Sequence, residues 1–125
     1  IYLMNNIIDG CITNSSDYDI ANVIYIILKN NFRYIENNVW EYLEDTMWYI
    51  DNKNEKLKYA IKTIVCKAFI ERSIFWAKKT EKENSKSDII SSKLLFIGTK
   101  LKEDKNKYIS NIIKECKQFF INNEY

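Results

Sequence analysis

The sequence predicts an α+β domain that is mostly helical and carries a small antiparallel sheet of about three short strands. Apolar residues recur at a helical spacing before residue 30 and again after residue 54. The stretch between them is rich in aromatic residues and is interrupted by Asn and Asp, a pattern typical of short strands joined by turns. With 125 residues, 46% of them hydrophobic, the chain can bury roughly two-thirds of its surface in one core. We therefore expect a single domain over residues 1–125.

The first clear helix is predicted over residues 17–30. The Ser16 hydroxyl can cap its N-terminus, and Asp19, three residues later, matches the acid of a capping box. The stripe expected to face the core consists of Ile20, Val23, Ile24, Ile27 and Leu28. Residues 1–14 are assigned to a linker or a short helix, and the apolar character of residues 1–12 favours the helix. Because the chain begins with Ile1 and not with Met, we expect a segment of a longer protein.

Three short strands are predicted between residues 32 and 50, where aromatic and β-branched side chains dominate. Residues 36–38 and 44–46 are expected to form the turns, because Asn and Asp tolerate a left-handed backbone.

The aromatic side chains of this sheet are interpreted as structural. Trp40 and Tyr42 lie two residues apart and share one face of the second strand. Trp48 and Ile50 are expected to complete an apolar cluster across the strands. In a small domain, Trp40, Tyr42 and Trp48 are expected to cover the core, in preference to stacking on nucleic-acid bases.

Helical periodicity returns after Asn54 and predicts a long helix that ends at about residue 79, with an irregularity near Ser73. Its expected buried stripe consists of Leu57, Ile61, Ile64, Val65, Ala68, Phe75 and Trp76. Its expected outer face carries Lys53, Lys56, Lys58, Lys62, Lys67 and Arg72.

Two more helices are predicted after a polar loop over residues 78–86. One starts at Ser87 or Asp88 and continues through Leu101, and Asp104 is expected to cap the last one. The buried stripe of the last helix consists of Ile109, Ile112, Ile113, Cys116, Phe119 and Phe120. The solvent face of this region carries Lys105, Lys107, Lys114 and Lys117.

Charge is divided unequally along the chain, although the total is only +2. Residues 1–52 contain 2 basic and 8 acidic side chains, a net charge of −6. Residues 53–125 contain 17 basic and 9 acidic side chains, a net charge of +8. A basic half can neutralise phosphates and release counterions, and it can equally be a solvated helical surface.

Several kinds of active site are excluded by composition. The chain has no His, which rules out a Ser-His-Asp triad and the common zinc ligand sets. Its two Gly residues cannot form either of the glycine-rich phosphate-binding motifs. Paired carboxylates such as Glu41 with Glu44 occur only where a turn or a cap explains them. We therefore predict no catalytic residue, no metal site and no cofactor for this segment.

The cysteines and the hydropathy pattern indicate a reducing, intracellular setting. Three widely spaced Cys residues without a C-x-x-C pair encode no disulfide framework, and Cys116 is interpreted as a core residue. No apolar run approaches the roughly 20 residues of a membrane span, so no membrane association is expected.

Three segments of the chain together resemble a known family. The D-Y-D-I-A helix start at residues 17–21 is followed by N-N-V-W-E-Y-L at residues 37–43, and Trp48 follows Trp40 by eight residues. The segment N-K-Y-I-S-N-I-I-K-E-C-K-Q-F-F at residues 106–120 resembles a closing helix. In this order and spacing, residues 15–122 resemble the region preceding the helicase in poxvirus-type and giant-virus primase-helicases.

The resemblance implies an accessory domain in a large DNA virus replication protein. In that family a primase of archaeo-eukaryotic type is joined to a hexameric superfamily 3 helicase, and this region lies between them. The chain contains no Walker A or Walker B residues, no arginine finger and no primase Asp pair, so no catalytic residue carries over. Thr46 and Met47 stand where relatives often have a basic or His-containing pair, which removes support for a nucleic-acid contact there.

Together these observations predict that the segment is a noncatalytic domain that acts in viral genome replication. Its expected partners are the helicase module of the same chain and DNA. The parent protein is expected to form a homo-hexamer. The expected location is the host cytoplasm or the viral replication site. One alternative is an all-helical, Bcl-2-like viral protein that binds a host helix, which requires residues 32–50 to be helical. Another is a free-standing DNA-binding module.

The four lysines Lys105, Lys107, Lys114 and Lys117 are the predicted phosphate contacts. Reversing all four to Glu should lower the slope of log affinity against log salt by about one for each lost contact. Titration of labelled DNA at several salt concentrations measures this slope, and an unchanged affinity would reject the assignment.

Overall fold

The computed structural model describes residues 2–12, 15–79 and 85–121 and confirms the α+β fold. Its helices are α1 (Tyr2–Gly10), α2 (Asp17–Leu28), α3 (Glu55–Ala60), α4 (Cys66–Lys79), α5 (Ser85–Glu103) and α6 (Tyr108–Phe120). Its strands are β1 (Phe32–Tyr34), β2 (Trp40–Glu44) and β3 (Met47–Ile50). A π-helical segment, Ile61–Val65, joins α3 to α4, and 3₁₀ turns at Asn52–Asn54 and Lys105–Lys107 precede α3 and α6.

The three strands form an antiparallel sheet in the order β1-β2-β3. Asn37 and Asn38 have positive φ at the β1–β2 turn, and Asp45 and Thr46 have positive φ at the β2–β3 turn. Two consecutive left-handed residues match the right-handed twist of a hairpin. Both turns therefore fall where the Asn and Asp residues predicted them.

The predicted cluster of Trp48 and Ile50 with Trp40 and Tyr42 is wrong. Trp48 pairs with Leu43 and Ile50 pairs with Glu41, so they lie on the opposite face of the sheet. Tyr49 occupies the position opposite Tyr42, and the two rings stack at 5.6 Å.

Trp48 is held on the outer face of the sheet by a charged pair. The Arg33 guanidinium lies 4.1 Å from the centre of the Trp48 ring and donates to Glu41 at 2.6 Å. The two-residue turn sets this register, and a shift of one residue exchanges the faces of a strand. Trp48 is therefore half-buried beneath Arg33 instead of joining the core.

The Ser16 cap predicted at the start of α2 is confirmed, although the Asp19 carboxylate accepts the Ser16 hydroxyl and not the backbone N–H of a full capping box. The Asp19 amide donates to the Ser16 hydroxyl at 3.2 Å, and this hydroxyl donates to the Asp19 carboxylate at 2.9 Å. The predicted stripe is buried at Ile20, Val23, Ile24 and Leu28 and half-buried at Ile27.

The core is closed by two pairs of helices, α4 with α5 and α2 with α6. Gly98 of α5 lies against α4, where an added Cβ would meet Ile70 Cγ1 at 3.0 Å and the Cys66 carbonyl at 3.4 Å. Ser73 and Ser91 join the same helices, because each hydroxyl donates to the backbone carbonyl of the other residue at 2.8 Å.

The sequence predicted an irregularity of the long helix near Ser73. The structure has it earlier, in the π-helical segment. A π turn contains an extra residue and rotates the residues on either side relative to one another. Ile64, inside this segment, is 53% exposed, and Phe75 is 42% exposed, so both predicted core positions are wrong.

The sequence placed Arg72 on the outer face of the long helix, but the structure shows it in an ion pair with α1. Its guanidinium donates to both carboxylate oxygens of Asp9 at 2.8 Å, and Trp76 Nε1 donates to the same carboxylate at 3.2 Å. This bidentate ion pair attaches α1 to α4. Residues 1–14 therefore contribute a packed helix over their described part.

The predicted polar loop is shorter than expected where the structure describes it. Lys78 and Lys79 end α4, while Ser85 and Lys86 begin α5, since Lys is a good helix former. Residues 80–84 of this prediction lie outside the described residues. None of the helices in the described ranges is both long enough and apolar enough to cross a membrane.

The close approach at Gly98 predicts a specific intolerance. Gly98→Val should lower the free energy of unfolding by about 1–3 kcal/mol, because the added methyl groups must displace α4. Gly10 is the matched control, since no atom lies within 4 Å of a Cβ added there. Urea denaturation followed by circular dichroism measures both variants, and an equally stable Gly98→Val protein would contradict the packing.

Candidate functional site

A pocket of about 240 Å³ lies where the β1–β2 turn, the start of α3 and the first turns of α6 meet. We call it the lysine pocket. Its lining consists of Asn38, Trp40, Asn54, Lys58, Ser110, Ile113, Lys114 and Lys117.

The α6 side of the pocket follows from helical spacing. Ser110, Ile113, Lys114 and Lys117 stand at positions i, i+3, i+4 and i+7 and therefore share one face. Asp104 caps this helix, as the sequence predicted, because its carboxylate accepts the Ile109 amide at 2.8 Å.

The α3 side is positioned by a second Asp cap. Asp51 is buried, and its two carboxylate oxygens accept the Lys56 amide at 2.8 Å and the Leu57 amide at 3.0 Å. These bonds satisfy two of the free donors at the helix start. Asn54, which precedes α3 with a left-handed backbone, and Lys58 of α3 then line the pocket.

The hairpin supplies the third side through Asn38. The backbone N–H of Asn38 donates to the Tyr34 hydroxyl at 3.0 Å, which holds the turn in place. The Asn38 side-chain oxygen accepts a hydrogen bond from Lys117 Nζ. Lys117 Nζ also lies 5.5 Å from the centre of the Tyr34 ring. The turn therefore holds Lys117 in a defined position at the pocket.

The pocket is positively charged. Three of its eight lining residues are lysines, and none is acidic. Within the described parts of the chain, neither Lys58 nor Lys114 has a carboxylate oxygen within 4.0 Å. Like charges gathered at one cavity repel each other, and a bound anion relieves that repulsion.

Trp40 is the most deeply buried side chain of this lining. Its side chain is only 1% exposed and packs between Tyr34 and Phe120, with both ring centres 5.2 Å away. Across residues 2–12, 15–79 and 85–121, Trp40 Nε1 is the one buried side-chain nitrogen or oxygen without a hydrogen-bond partner. An unpaired buried N–H group costs about 1–3 kcal/mol, so it is expected to have a partner.

The structure separates the four lysines predicted as phosphate contacts. Lys114 and Lys117 line the pocket, whereas Lys105 and Lys107 lie in the exposed 3₁₀ turn before α6. The Lys105 side chain is 76% exposed, and its Nζ lies 4.0 Å from a Glu103 carboxylate oxygen.

Of the three rings predicted as structural, only Trp40 lines the pocket; Tyr42 and Trp48 are half-buried elsewhere on the sheet. Sequence reasoning did not identify Asn38, Asn54, Lys58 or Ser110 as site residues. Only the helical spacing of Ser110 with Lys114 and Lys117 could have indicated one of them.

The described parts of the chain offer no evident metal site. The described residues contain no group of three or more Cys, Asp or Glu side chains placed to hold a metal ion. Comparison with known proteins gives no matching family model, no matching curated protein and no matching solved structure. The function is therefore inferred from the pocket itself.

The three thiols lie in the core and are predicted to be unreactive. Burial, together with Asp19 and Asp9, raises the pKa of the Cys11 thiol from 9.0 to about 12. Burial also raises the pKa of Cys66 and raises the pKa of Cys116 far above its ordinary value.

Iodoacetamide at pH 8 should therefore leave the folded protein unmodified, because it reacts with thiolates. In urea it should label all three thiols, and intact mass measures both results.

The same shifts predict a pH dependence of stability. The unfolded chain releases the Cys11 proton above its ordinary pKa of 9.0, while the folded chain retains it to about pH 12. The free energy of unfolding should therefore fall as pH rises from 9 towards 12. Cys11→Ala should show a smaller decline in urea titrations, and an identical decline would contradict the assignment.

Proposed function

We propose that this domain is a noncatalytic nucleic-acid-contacting module in which the lysine pocket holds phosphate. The observation that carries the proposal is the convergence of Lys58, Lys114 and Lys117, from two helices distant in sequence, on one cavity without a carboxylate. Lysine is a common phosphate ligand that acts as a point charge, and phosphate is the anion that nucleic acids repeat along their length.

Several properties of the pocket support phosphate over other anions. Its neutral polar side chains, Asn38, Asn54 and Ser110, are typical contacts to phosphate oxygens. The surrounding half of the chain, residues 53–125, has a net charge of +8 and would attract a polyanion.

The lining itself supports a binding role in preference to a catalytic one. It contains no carboxylate, no thiol and no imidazole that could act as a general base. We therefore assign the domain no reaction of its own.

The resemblance to the segment between primase and helicase in large DNA virus proteins supplies the biological setting of the proposal. In that setting the domain would act in viral genome replication inside the host cell, next to the helicase module of the same chain. The homo-hexameric ring would bring several copies of the pocket to one DNA substrate, and multivalent contact strengthens weak binding.

The all-helical alternative receives no support from the fold. A Bcl-2-like protein would require residues 32–50 to be helical, and this stretch forms the three-stranded sheet instead. The free-standing DNA-binding module differs from the proposal only in what the gene encodes beside this segment, so sequencing for a Walker A motif downstream decides between them.

Two matched double variants test the proposal. Fluorescence anisotropy of labelled DNA, titrated at several salt concentrations, should show binding that weakens steeply with salt. Lys114→Glu with Lys117→Glu should lower the affinity about tenfold or more and reduce the salt slope by about two. Lys105→Glu with Lys107→Glu makes the same charge change outside the pocket and should retain most of the affinity.

Two outcomes would contradict the proposal. Absence of binding by the unaltered protein at low salt would remove nucleic acid as the partner. Equal losses in the two double variants would mean that net charge, and not the pocket, determines binding.

A further inference from the structure

We infer that the outer edge of β3 pairs with β3 of a second copy of this chain, so that two three-stranded sheets join into one continuous antiparallel sheet. This inference goes beyond the proposed function and uses none of the lysines of the pocket. Three observations carry it: the exposure of β3, the direction in which its backbone groups point, and the opposite charges at its two ends.

β3 is an exposed, apolar edge strand. It is the last strand in the order β1-β2-β3, and within residues 2–12, 15–79 and 85–121 no strand pairs with its other side. Met47, Tyr49 and Ile50 are 59%, 43% and 63% exposed. Charged side chains and Pro commonly guard such edges, and the sequence M-W-Y-I contains neither. β1, at the other edge of the sheet, carries Arg33 and contacts α6.

The hydrogen bonds of the hairpin direct alternate backbone groups of β3 to the outer edge. The Asp51 N–H donates to the Trp40 carbonyl at 2.8 Å, so the backbone of Asp51 faces β2. Bonded positions alternate along an antiparallel strand, so Tyr49, two residues earlier, also faces β2. The backbone N–H and C=O groups of Trp48 and Ile50 therefore point away from β2.

This alternation sets the register in which two copies can pair. Two antiparallel strands related by a two-fold axis keep like faces together, and the outward groups of one must meet those of the other. Both conditions hold when Tyr49 lies opposite Tyr49 of the second copy, because Ile50 then lies opposite Trp48 in both directions. The register centred on Trp48 would instead require Thr46, which lies in the turn with a φ of 68°.

The side chains on the outer face also suit this register. Trp48 and Ile50 lie two residues apart and share that face of β3. Pairing places Ile50 of one copy directly opposite Trp48 of the second copy, and the two-fold axis repeats the pair. A cross-strand pair of an aromatic and a β-branched side chain stabilises antiparallel strands.

Opposite charges meet at the two ends of the pairing. The β2–β3 turn carries Glu44 and Asp45, and the 3₁₀ turn after β3 carries Lys53. In the register centred on Tyr49, Asp45 of one copy lies beside Lys53 of the second copy, at both ends. Asp45 and Lys53 are exposed, and neither forms an ion pair in the described parts of the chain. A second copy thus supplies both the strand and the countercharge.

The first experiment follows the mass of the whole chain by sedimentation velocity as protein concentration rises. A reversible change from one chain to two is expected. Ile50→Pro should weaken this association at least about tenfold, because it removes one outward donor from each copy and keeps the bonds between β2 and β3. Ile50→Val, the control, should associate like the unaltered protein. A single chain at every concentration, which would leave this edge to a different protein, would overturn the inference. So would a dimer that Ile50→Pro does not weaken.

The second experiment tests the register through charge. Lys53→Asp sets two carboxylates side by side at each end of the pairing and should weaken association about tenfold. Adding Asp45→Asn removes this repulsion and should restore part of the affinity. Lys107→Asp is the matched control, because Lys107 and Lys53 share a left-handed backbone, with φ of 58° and 55°. Equal effects of Lys53→Asp and Lys107→Asp would overturn the inferred register.

Hydrogen exchange locates the interface even if the proline variant fails to fold. In a ¹⁵N-labelled sample, the Ile50 amide should exchange more slowly as protein concentration rises, because pairing gives it an acceptor. The Asp51 amide, which already donates to Trp40 within one copy, is the control and should change little. If the chain associates while the exchange of the Ile50 amide stays constant, the interface lies elsewhere and the inference is overturned.

Discussion

The contact between the Trp40 indole and the Phe120 ring joins the sheet to the helical body. Both side chains are fully buried, and their edge-to-face arrangement is favourable for aromatic rings. Because Trp40 belongs to β2 and Phe120 belongs to the helix that carries Lys114 and Lys117, this contact sets the distance between the hairpin and the α6 lysines. The lysine pocket is therefore a consequence of how the core closes, and its geometry depends on packing that no lysine takes part in.

Acidic side chains hold elements of this fold in place, and none of the described ones forms an ion pair with a lysine of the pocket. Asp51 and Asp104 each cap a helix by accepting an amide five residues ahead, and these two helices are the ones that bound the pocket. Asp9 and Glu41 are occupied by the guanidinium groups of Arg72 and Arg33. Positive and negative charges are therefore separated in space. These carboxylates lie at helix starts and between elements, whereas the ammonium groups of three lysines lie at the pocket.

A concave, positively charged site differs physically from a basic helical surface. On an exposed helix, water screens each lysine, and the interaction with phosphate is weak and nonspecific. At the pocket, three ammonium groups act on one anion at once, and neutral polar side chains supplement them. For this reason we assign phosphate binding to Lys114 and Lys117 in the pocket, and not to Lys105 and Lys107 in the 3₁₀ turn before α6.

Patterns in the sequence were sufficient to predict the fold class, the order of the elements, both hairpin turns, the Ser16 cap and the Asp104 cap. These depend on residues close together along the chain, through periodicity, turn preference and local hydrogen bonds. Three features could be seen only in the folded chain: Trp48 lies on the outer face of the sheet, the π-helical segment exposes Ile64, and Arg72 pairs with Asp9. The fold alone brought Lys58 to Lys114 and Lys117, because long-range contacts and strand register arise from the packing of the whole core.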